Sequence, residues 1–78
     1  MKIEVLFFGV LSEITGKQAL SLDENAADTN ELNDKLRGEY PEIKTVTYRI
    51  AVNHEIIDSN TKLNDGDEVA FMPPFAGG

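Results

Sequence analysis

Few side chains in this 78-residue chain could carry out chemistry. The sequence has no cysteine, which excludes a thiol nucleophile, a thiolate metal site and a disulfide. Its single histidine is His54, and the neighbouring sequence offers no partners for a catalytic triad or a histidine-based metal site. We therefore assign His54 no function, and a reactive group must be sought elsewhere in the chain.

A group of acidic residues near the end of the chain could suggest a cation site. Asp65, Asp67 and Glu68 flank Gly66. Carboxylates are common calcium ligands, but this spacing does not match an EF-hand loop. The sequence Asn-Asp-Gly-Asp is instead typical of a turn, because glycine adopts the backbone angles that tight turns need. We predict a turn at residues 64–67 and no metal ligand.

The last segment of the chain is suited to insertion into a partner. Pro73-Pro74 is followed by Phe75, Ala76 and Gly77-Gly78. Glycine has no side chain, so an extended end of this kind can enter a narrow channel and adopt backbone angles closed to other residues. At 3.3 to 3.6 Å per residue, the last four residues reach about 14 Å and the last six about 20 Å. Such a tail can reach a buried site; the alternative is a frayed terminus with no role.

Composition and charge indicate one folded domain that avoids polyanions. The chain is 41% hydrophobic and 27% charged, which is ordinary for a soluble domain of this size. Fourteen acidic against seven basic residues give a formal charge of −7, which repels nucleic acid phosphates and anionic lipids. We expect neither nucleic acid nor a membrane as a partner. A basic protein surface is the natural electrostatic complement.

The sequence also favours a cytoplasmic location. No apolar stretch approaches the roughly 20 residues that span a bilayer. Glu4 interrupts the start of the chain, where a signal peptide would need an apolar core. The absence of cysteine agrees with a reducing compartment, in which disulfides are rare.

The hydrophobic pattern predicts several strands. Alternating or β-branched stretches place them at residues 2–9, 17–22, 48–53, 56–57 and 68–72. Pro73-Pro74 closes the last strand, because proline has no amide hydrogen for a ladder. A short helical turn at residues 11–16 is expected to end at Gly16 in the left-handed conformation. His54 and Glu55 are expected to lie in a turn.

One main helix is predicted in the middle of the chain. Asp28 followed by Glu31 resembles a capping box at its start. We expect Gly38 and Pro41 to stop it. Apolar side chains recur one turn apart on its inward face, at Leu32 and Leu36.

This order of elements indicates an α+β fold. One helix would lie across a mixed sheet of about four to five strands, which is the β-grasp plan. The domain is predicted to span residues 1–72, and residues 73–78 form an extended tail.

Strand alternation assigns two faces to this sheet. The face toward the helix is predicted to contain Ile3, Val5, Phe7, Ile50, Val52, Val69 and Phe71. The opposite face is predicted to contain Leu6, Phe8, Ala51, Ala70 and Met72. Because contiguous apolar surface marks interfaces, we predict that this opposite face docks protein partners and continues into Phe75. The alternative is scattered apolar surface residues with no role.

Three segments together resemble the small subunit of molybdopterin synthase, a sulfur carrier of the ubiquitin-like class. They are Val5-Leu6-Phe7-Phe8-Gly9, Asp65-Gly66-Asp67-Glu68-Val69-Ala70 and Pro73-Pro74-x-x-Gly77-Gly78. Ala51-Val52-Asn53 also matches the family's central strand and turn. Ser12 departs from the pattern, because many members carry an arginine at that position.

The resemblance implies both a mechanism and a set of partners. An ATP-dependent activating enzyme would adenylate the carboxylate of Gly78, which then accepts sulfur from a donor as a thiocarboxylate. The large synthase subunit would use this sulfur to build the dithiolene of molybdopterin, in a complex of two small and two large subunits. The chain would be a non-catalytic carrier that binds no cofactor, and ATP would bind the activating enzyme. The residues implied in partner binding are Phe75, Ala76, Gly77, Leu6, Phe8 and Met72.

Two alternatives stay open at this point. A carrier for thiamine thiazole synthesis, or for another thiolation pathway, would share the Gly77-Gly78 end and its activation. A ubiquitin-like interaction module or protein modifier would use the tail for isopeptide bonds, or would not use it at all. The opening Leu6-Phe7-Phe8 and Pro73-Pro74 favour the molybdopterin role.

Overall fold

The computed structural model describes residues 1–74 and contains one five-stranded mixed sheet. The strands are β1 (Lys2–Phe7), β2 (Ala19–Asp23), β3 (Arg49–Val52), β4 (Glu55–Ile57) and β5 (Glu68–Met72). The helices are α1 (Val10–Thr15) and α2 (Thr29–Glu39), and a 3-10 helix follows at Pro41–Thr45. The sheet order is β2-β1-β5-β3-β4, with β1 and β5 parallel and the other pairs antiparallel. The predicted α+β, β-grasp architecture is confirmed.

The hydrophobic core lies on one face of the sheet, as strand alternation predicted. The sheet contributes Ile3, Val5, Phe7, Val69 and Phe71, each at most 2% exposed. The helices and loops cover them with Leu11, Ala26, Leu32, Leu36, Ile43 and Leu63. Ile50 and Val52 point the same way but are only partly buried, because β3 lies near the sheet edge. Within residues 1–74, no helix is long and apolar enough to cross a bilayer.

The start of α2 follows the predicted capping pattern. The side chain of Asp28 accepts a hydrogen bond from the Glu31 backbone amide at 2.9 Å. In return, a carboxylate oxygen of Glu31 accepts a bond from the Ala27 amide at 3.3 Å. The bond from the Glu31 amide, aided by the Asn60 side chain, holds the pKa of Asp28 below its ordinary value. The cap therefore favours the ionised carboxylate.

The end of α2 confirms the predicted stop at Pro41, but the predicted stop at Gly38 is wrong. Gly38 lies inside the helix, which continues to Glu39. Pro41 is what ends it, since the residue before a proline is pushed out of the helical region; Tyr40 has φ −125° and ψ 75°. Pro41 then opens the 3-10 helix, which the sequence analysis did not predict. A proline at the first helical position is favourable, so the same residue stops one helix and starts the next.

Several smaller boundaries also move, and β3 is confined to Arg49–Val52 instead of residues 48–53. β1 ends at Phe7, not at residue 9, because the chain turns into α1 at Gly9. β2 lies at Ala19–Asp23 instead of residues 17–22. Glu55 belongs to β4, and the turn is formed by Asn53 and His54, which adopt positive φ angles of 49° and 73°. Gly16 caps α1 in the left-handed conformation, as predicted.

Candidate docking face and tail exit

The outer face of the sheet carries a continuous apolar row across four strands. Leu6 in β1 is paired with Ala70 in β5, and Ala70 is paired with Ala51 in β3. Ala51 is in turn paired with Ile56 in β4. Since paired residues in a sheet point to the same side, these four side chains lie side by side on the face away from α2.

These residues line a shallow groove of about 290 Å³. Phe8 and Ile56 stand at its sides and are 47% and 54% exposed. Ala51 and Ala70 form its floor and are only 3% and 9% exposed, because their short side chains lie below their larger neighbours. The remaining residues that line the groove are Leu6, Met72, His54 and Glu68. The predicted face is therefore correct, although the two alanines contribute its shape and not exposed area.

Ile56 lines one side of the groove, but the sequence analysis did not assign it to this face. The sequence placed it only in a short return strand, and two adjacent isoleucines gave no alternation from which to choose a face. The pairing of Ile56 with Ala51 places Ile56 on the outer face. A shift of one residue in the register between β3 and β4 would place Ile57 there instead. Ile57 is the less exposed of the two.

The outer face is apolar near the tail and charged at the opposite end. Beyond the groove, Glu4 is paired with Ser21 on one side and Glu68 on the other. The Ser21 hydroxyl donates to a Glu4 carboxylate oxygen at 2.5 Å. His54 Nε2 lies 3.2 Å from a carboxylate oxygen of Glu68, so this contact is an ion pair only when the imidazole is protonated. A partner covering the groove would meet acidic side chains at one end.

The acidic residues near Gly66 hold the turn that leads into β5. An Asp65 carboxylate oxygen accepts a bond from the Lys2 amide at 2.6 Å. The Asp67 carboxylate accepts bonds from the Asn53 side-chain amide at 3.0 Å and from the Asn64 backbone amide at 2.8 Å. Gly66 adopts φ 88°. The predicted turn is confirmed, and these bonds fix where the last strand begins.

The tail leaves the domain beside the groove. β5 runs parallel to β1, so its carboxyl end lies next to the end of β1, near Phe8. The Phe8 amide donates to the Phe71 carbonyl at 3.0 Å, which closes this pairing. Leu6, Phe8 and Met72 thus lie together at the base of the tail. The other predicted site residues, Phe75, Ala76, Gly77 and Gly78, lie outside the described residues.

Comparison with known proteins gives the family of this chain. The family model described as the ThiS family matches residues 5–78, which is nearly the whole sequence. The chain belongs to the ThiS family. A molybdopterin synthase sulfur carrier subunit from Mycobacterium tuberculosis is 39% identical over 83 residues, covering 100% of this chain and 99% of that relative.

Solved structures similar to this chain share its fold. A chain from the complex of subunits 1 and 2 of the molybdopterin-converting factor of Helicobacter pylori is 36% identical, with a TM-score of 0.73 and 100% coverage of both chains. Small archaeal modifier protein 1 from Haloferax volcanii has a TM-score of 0.80 at 24% identity, again over 100% of both chains. At that identity the second likeness concerns the fold alone.

The described part of this ThiS-family chain offers an apolar surface suited to binding a partner. Within residues 1–74, no three His, Cys, Asp or Glu side chains cluster closely enough to hold a metal ion. The groove is lined mainly by aliphatic and aromatic side chains. Apolar lining of this kind excludes water when a partner covers it, and the acidic end can orient that partner.

Proposed function

We propose that this chain is the sulfur carrier subunit of molybdopterin synthase. The observation that carries the proposal is the extent of the family match, which runs through residue 78 and so includes the Gly77-Gly78 end. Full-length identity of 39% to a subunit of that name supports the choice of pathway. The apolar groove lies beside the base of the tail, so a partner that covers the groove can receive the tail at the same time, as a carrier requires.

The reactive group in this proposal is the terminal carboxylate of Gly78. One carboxylate oxygen attacks the α-phosphorus of ATP on the activating enzyme, which releases pyrophosphate and forms an acyl adenylate. A sulfur donor then attacks the acyl carbon and displaces AMP, directly or through an acyl intermediate, to give the thiocarboxylate. The thiocarboxylate sulfur attacks a side-chain carbon of the pterin precursor on the large subunit and displaces an oxygen leaving group from that carbon. Water then cleaves the resulting thioester, which restores the Gly78 carboxylate and leaves the sulfur on the pterin; two such transfers supply the dithiolene. The carrier contributes positioning and no catalytic side chain, and it binds no cofactor of its own.

The partners in this proposal use the outer face of the sheet. The large subunit covers the groove that Leu6, Phe8 and Met72 line, in an assembly of two small and two large subunits. The complex of subunits 1 and 2 from Helicobacter pylori supports a partner of this kind. The activating enzyme uses the same face, because it must receive the same tail. The cytoplasmic location stays a prediction.

Intact mass spectrometry tests this function directly. The chain is incubated with ATP, the activating enzyme and sulfide, and a gain of about 16 Da on residue 78 is expected, because no thiol is present to take up sulfur elsewhere. Omission of ATP and deletion of Gly78 are the two controls. An unchanged mass, or sulfur on any other residue, contradicts the carrier role.

Co-purification separates the remaining candidates. A molybdopterin carrier should retain the large synthase subunit, and a carrier for thiazole synthesis should retain a thiazole synthase. A protein modifier should instead give adducts in which Gly78 is joined to a lysine by an isopeptide bond. The fold shared with small archaeal modifier protein 1 does not distinguish these outcomes.

A further inference from the structure

Gly9 occupies a backbone position that only glycine adopts without strain. It has φ 59° and ψ −134° and directly precedes α1. L-residues rarely adopt a positive φ with this ψ, because the Cβ atom clashes with the backbone. The position therefore needs glycine for conformational reasons alone. Gly16 and Gly66 also have positive φ angles, of 73° and 88°.

Gly9 differs from Gly16 and Gly66 because a side chain there would also meet the tail. A Cβ atom at Gly9 would lie 2.8 Å from Pro73 Cγ and 3.4 Å from Pro73 Cδ. At Gly16 and Gly66 a Cβ atom would meet nothing within 4 Å. Carbon atoms in favourable contact are about 3.5 to 4.0 Å apart, so a methyl group at Gly9 would displace the Pro73 ring by roughly 0.7 Å or more.

The corner between β1 and α1, formed by Phe8 and Gly9, is held in place by more contacts than Pro73. The Gly9 carbonyl accepts bonds from the Ser12 amide at 3.0 Å and from the Ser12 hydroxyl at 2.7 Å. Phe7 and Leu11 on either side are buried in the core, at 2% and 0% exposed. Pro73 follows the last residue of β5 and lies outside the ladder. A steric conflict would therefore move the proline and the tail after it, not the corner.

We propose that Gly9 is a positioning residue for sulfur transfer. Because Gly9 has no side chain, the Pro73 ring can lie directly against its backbone. This position of the Pro73 ring sets the direction in which the tail leaves β5. The inference rests on the proposed function, because the direction of the tail matters only if Gly78 must reach a reaction centre in a partner. A misplacement of about 1 Å at a reacting atom can lower a rate roughly a hundredfold.

Gly16→Ala is the first control for Gly9→Ala. Both introduce a methyl group at a positive φ, 59° at Gly9 and 73° at Gly16, but only the methyl group at Gly9 meets Pro73. Gly9 has ψ −134° and Gly16 has ψ 14°, so Gly9→Ala also carries more backbone strain, and a cycle with Pro73 is needed to isolate the contact. Thiocarboxylated carrier is mixed with saturating large subunit, and the single-turnover rate of sulfur transfer and the Kd of the complex are measured. We expect Gly9→Ala to slow the saturated rate about tenfold and to change Kd less than about twofold. Gly16→Ala should leave both values within about twofold of the unsubstituted chain.

Pro73→Ala turns the comparison into a double-mutant cycle. It removes the ring atoms that a Cβ atom at Gly9 would meet, so the Gly9→Ala defect should be smaller in the Pro73→Ala background. Pro74→Ala is the control for loss of proline stiffness, and it should give no such rescue. Strictly multiplicative effects of Gly9→Ala and Pro73→Ala would overturn the inference.

The outcomes separate this inference from the function on which it rests. If the unsubstituted chain transfers no sulfur, the proposed function fails, and the role of Gly9 fails with it. If that chain is active but Gly9→Ala and Gly16→Ala behave alike, the positioning role alone is wrong. Should Gly9→Ala not fold, the Pro73→Ala and Pro74→Ala pair decides: an equal loss of saturated rate in both would overturn the inference.

Discussion

Replacing Phe8 by alanine and by aspartate separates docking from folding. Phe8 is 47% exposed, so about half of its side chain, roughly 100 Å², is left for a partner to bury. At about 25 cal/mol per Å², loss of this area weakens binding by about 2.5 kcal/mol, or roughly 70-fold in Kd. The half already buried in the free domain makes a similar contribution to folding, so Phe8→Ala should lower both free energies by comparable amounts.

The charge in Phe8→Asp should affect binding alone. In the free carrier the carboxylate remains hydrated beside the groove, so the free energy of unfolding should match that of Phe8→Ala to within about 1 kcal/mol. In the complex it would be buried without a partner, which adds at least about 3 kcal/mol, or more than about 100-fold in Kd. The difference between the Asp and Ala variants therefore measures burial in the complex.

The assay is urea unfolding of each free variant beside calorimetric titration with the large subunit. Val10 provides the matched control, because it is 40% exposed but does not line the groove. Its Ala and Asp variants should bind the large subunit almost equally well. Two differences between Phe8→Asp and Phe8→Ala are compared, one in unfolding free energy and one in binding free energy. If the two differences are equal, Phe8 belongs to the core and the face assignment is wrong. Equal binding by both Phe8 variants would place the partner elsewhere.

Three further results are expected. Deleting Gly78 should abolish sulfur transfer while thermal unfolding and large-subunit affinity stay nearly unchanged, since the new carboxylate lies about 3.5 Å short; near-normal product formation would refute the tail mechanism. Because the folded-state pKa of Asp28 is lowered, its contribution to stability is complete above the ordinary aspartate pKa and is lost as pH falls through the lower folded value. Urea unfolding at several pH values should show that the unfolding free energy of Asp28→Ala falls less on acidification than that of the unsubstituted chain, and an identical fall would contradict the cap assignment. Leu36 is 0% exposed, so Leu36→Ala should lower the unfolding free energy by about 2 to 5 kcal/mol in urea, and a change under about 1 kcal/mol would show that it is not core.

Local patterns predicted the parts of the fold that depend on neighbouring residues. Ile3, Val5 and Phe7 alternate along β1, and this periodicity assigns their face wherever the strand pairs. The cap at Asp28 and the left-handed end at Gly16 each involve residues within one helical turn. The predicted stop at Gly38 was wrong because glycine only weakens a helix, whereas the predicted stop at Pro41 is confirmed, since the residue before a proline is pushed out of the helical region.

The sequence by itself determined which side chains face the core and what the tail is made of. The tertiary structure alone decided how the other face is shaped. Ala51 and Ala70 become a floor, and Ile56 becomes a wall, only when β5, β3 and β4 pair in one register. Gly9 likewise lies close enough to Pro73 for an added Cβ atom to meet the proline ring only because β1 and β5 run parallel and end together. Strand register and parallel pairing join segments far apart in the chain, and no local pattern of residues encodes them.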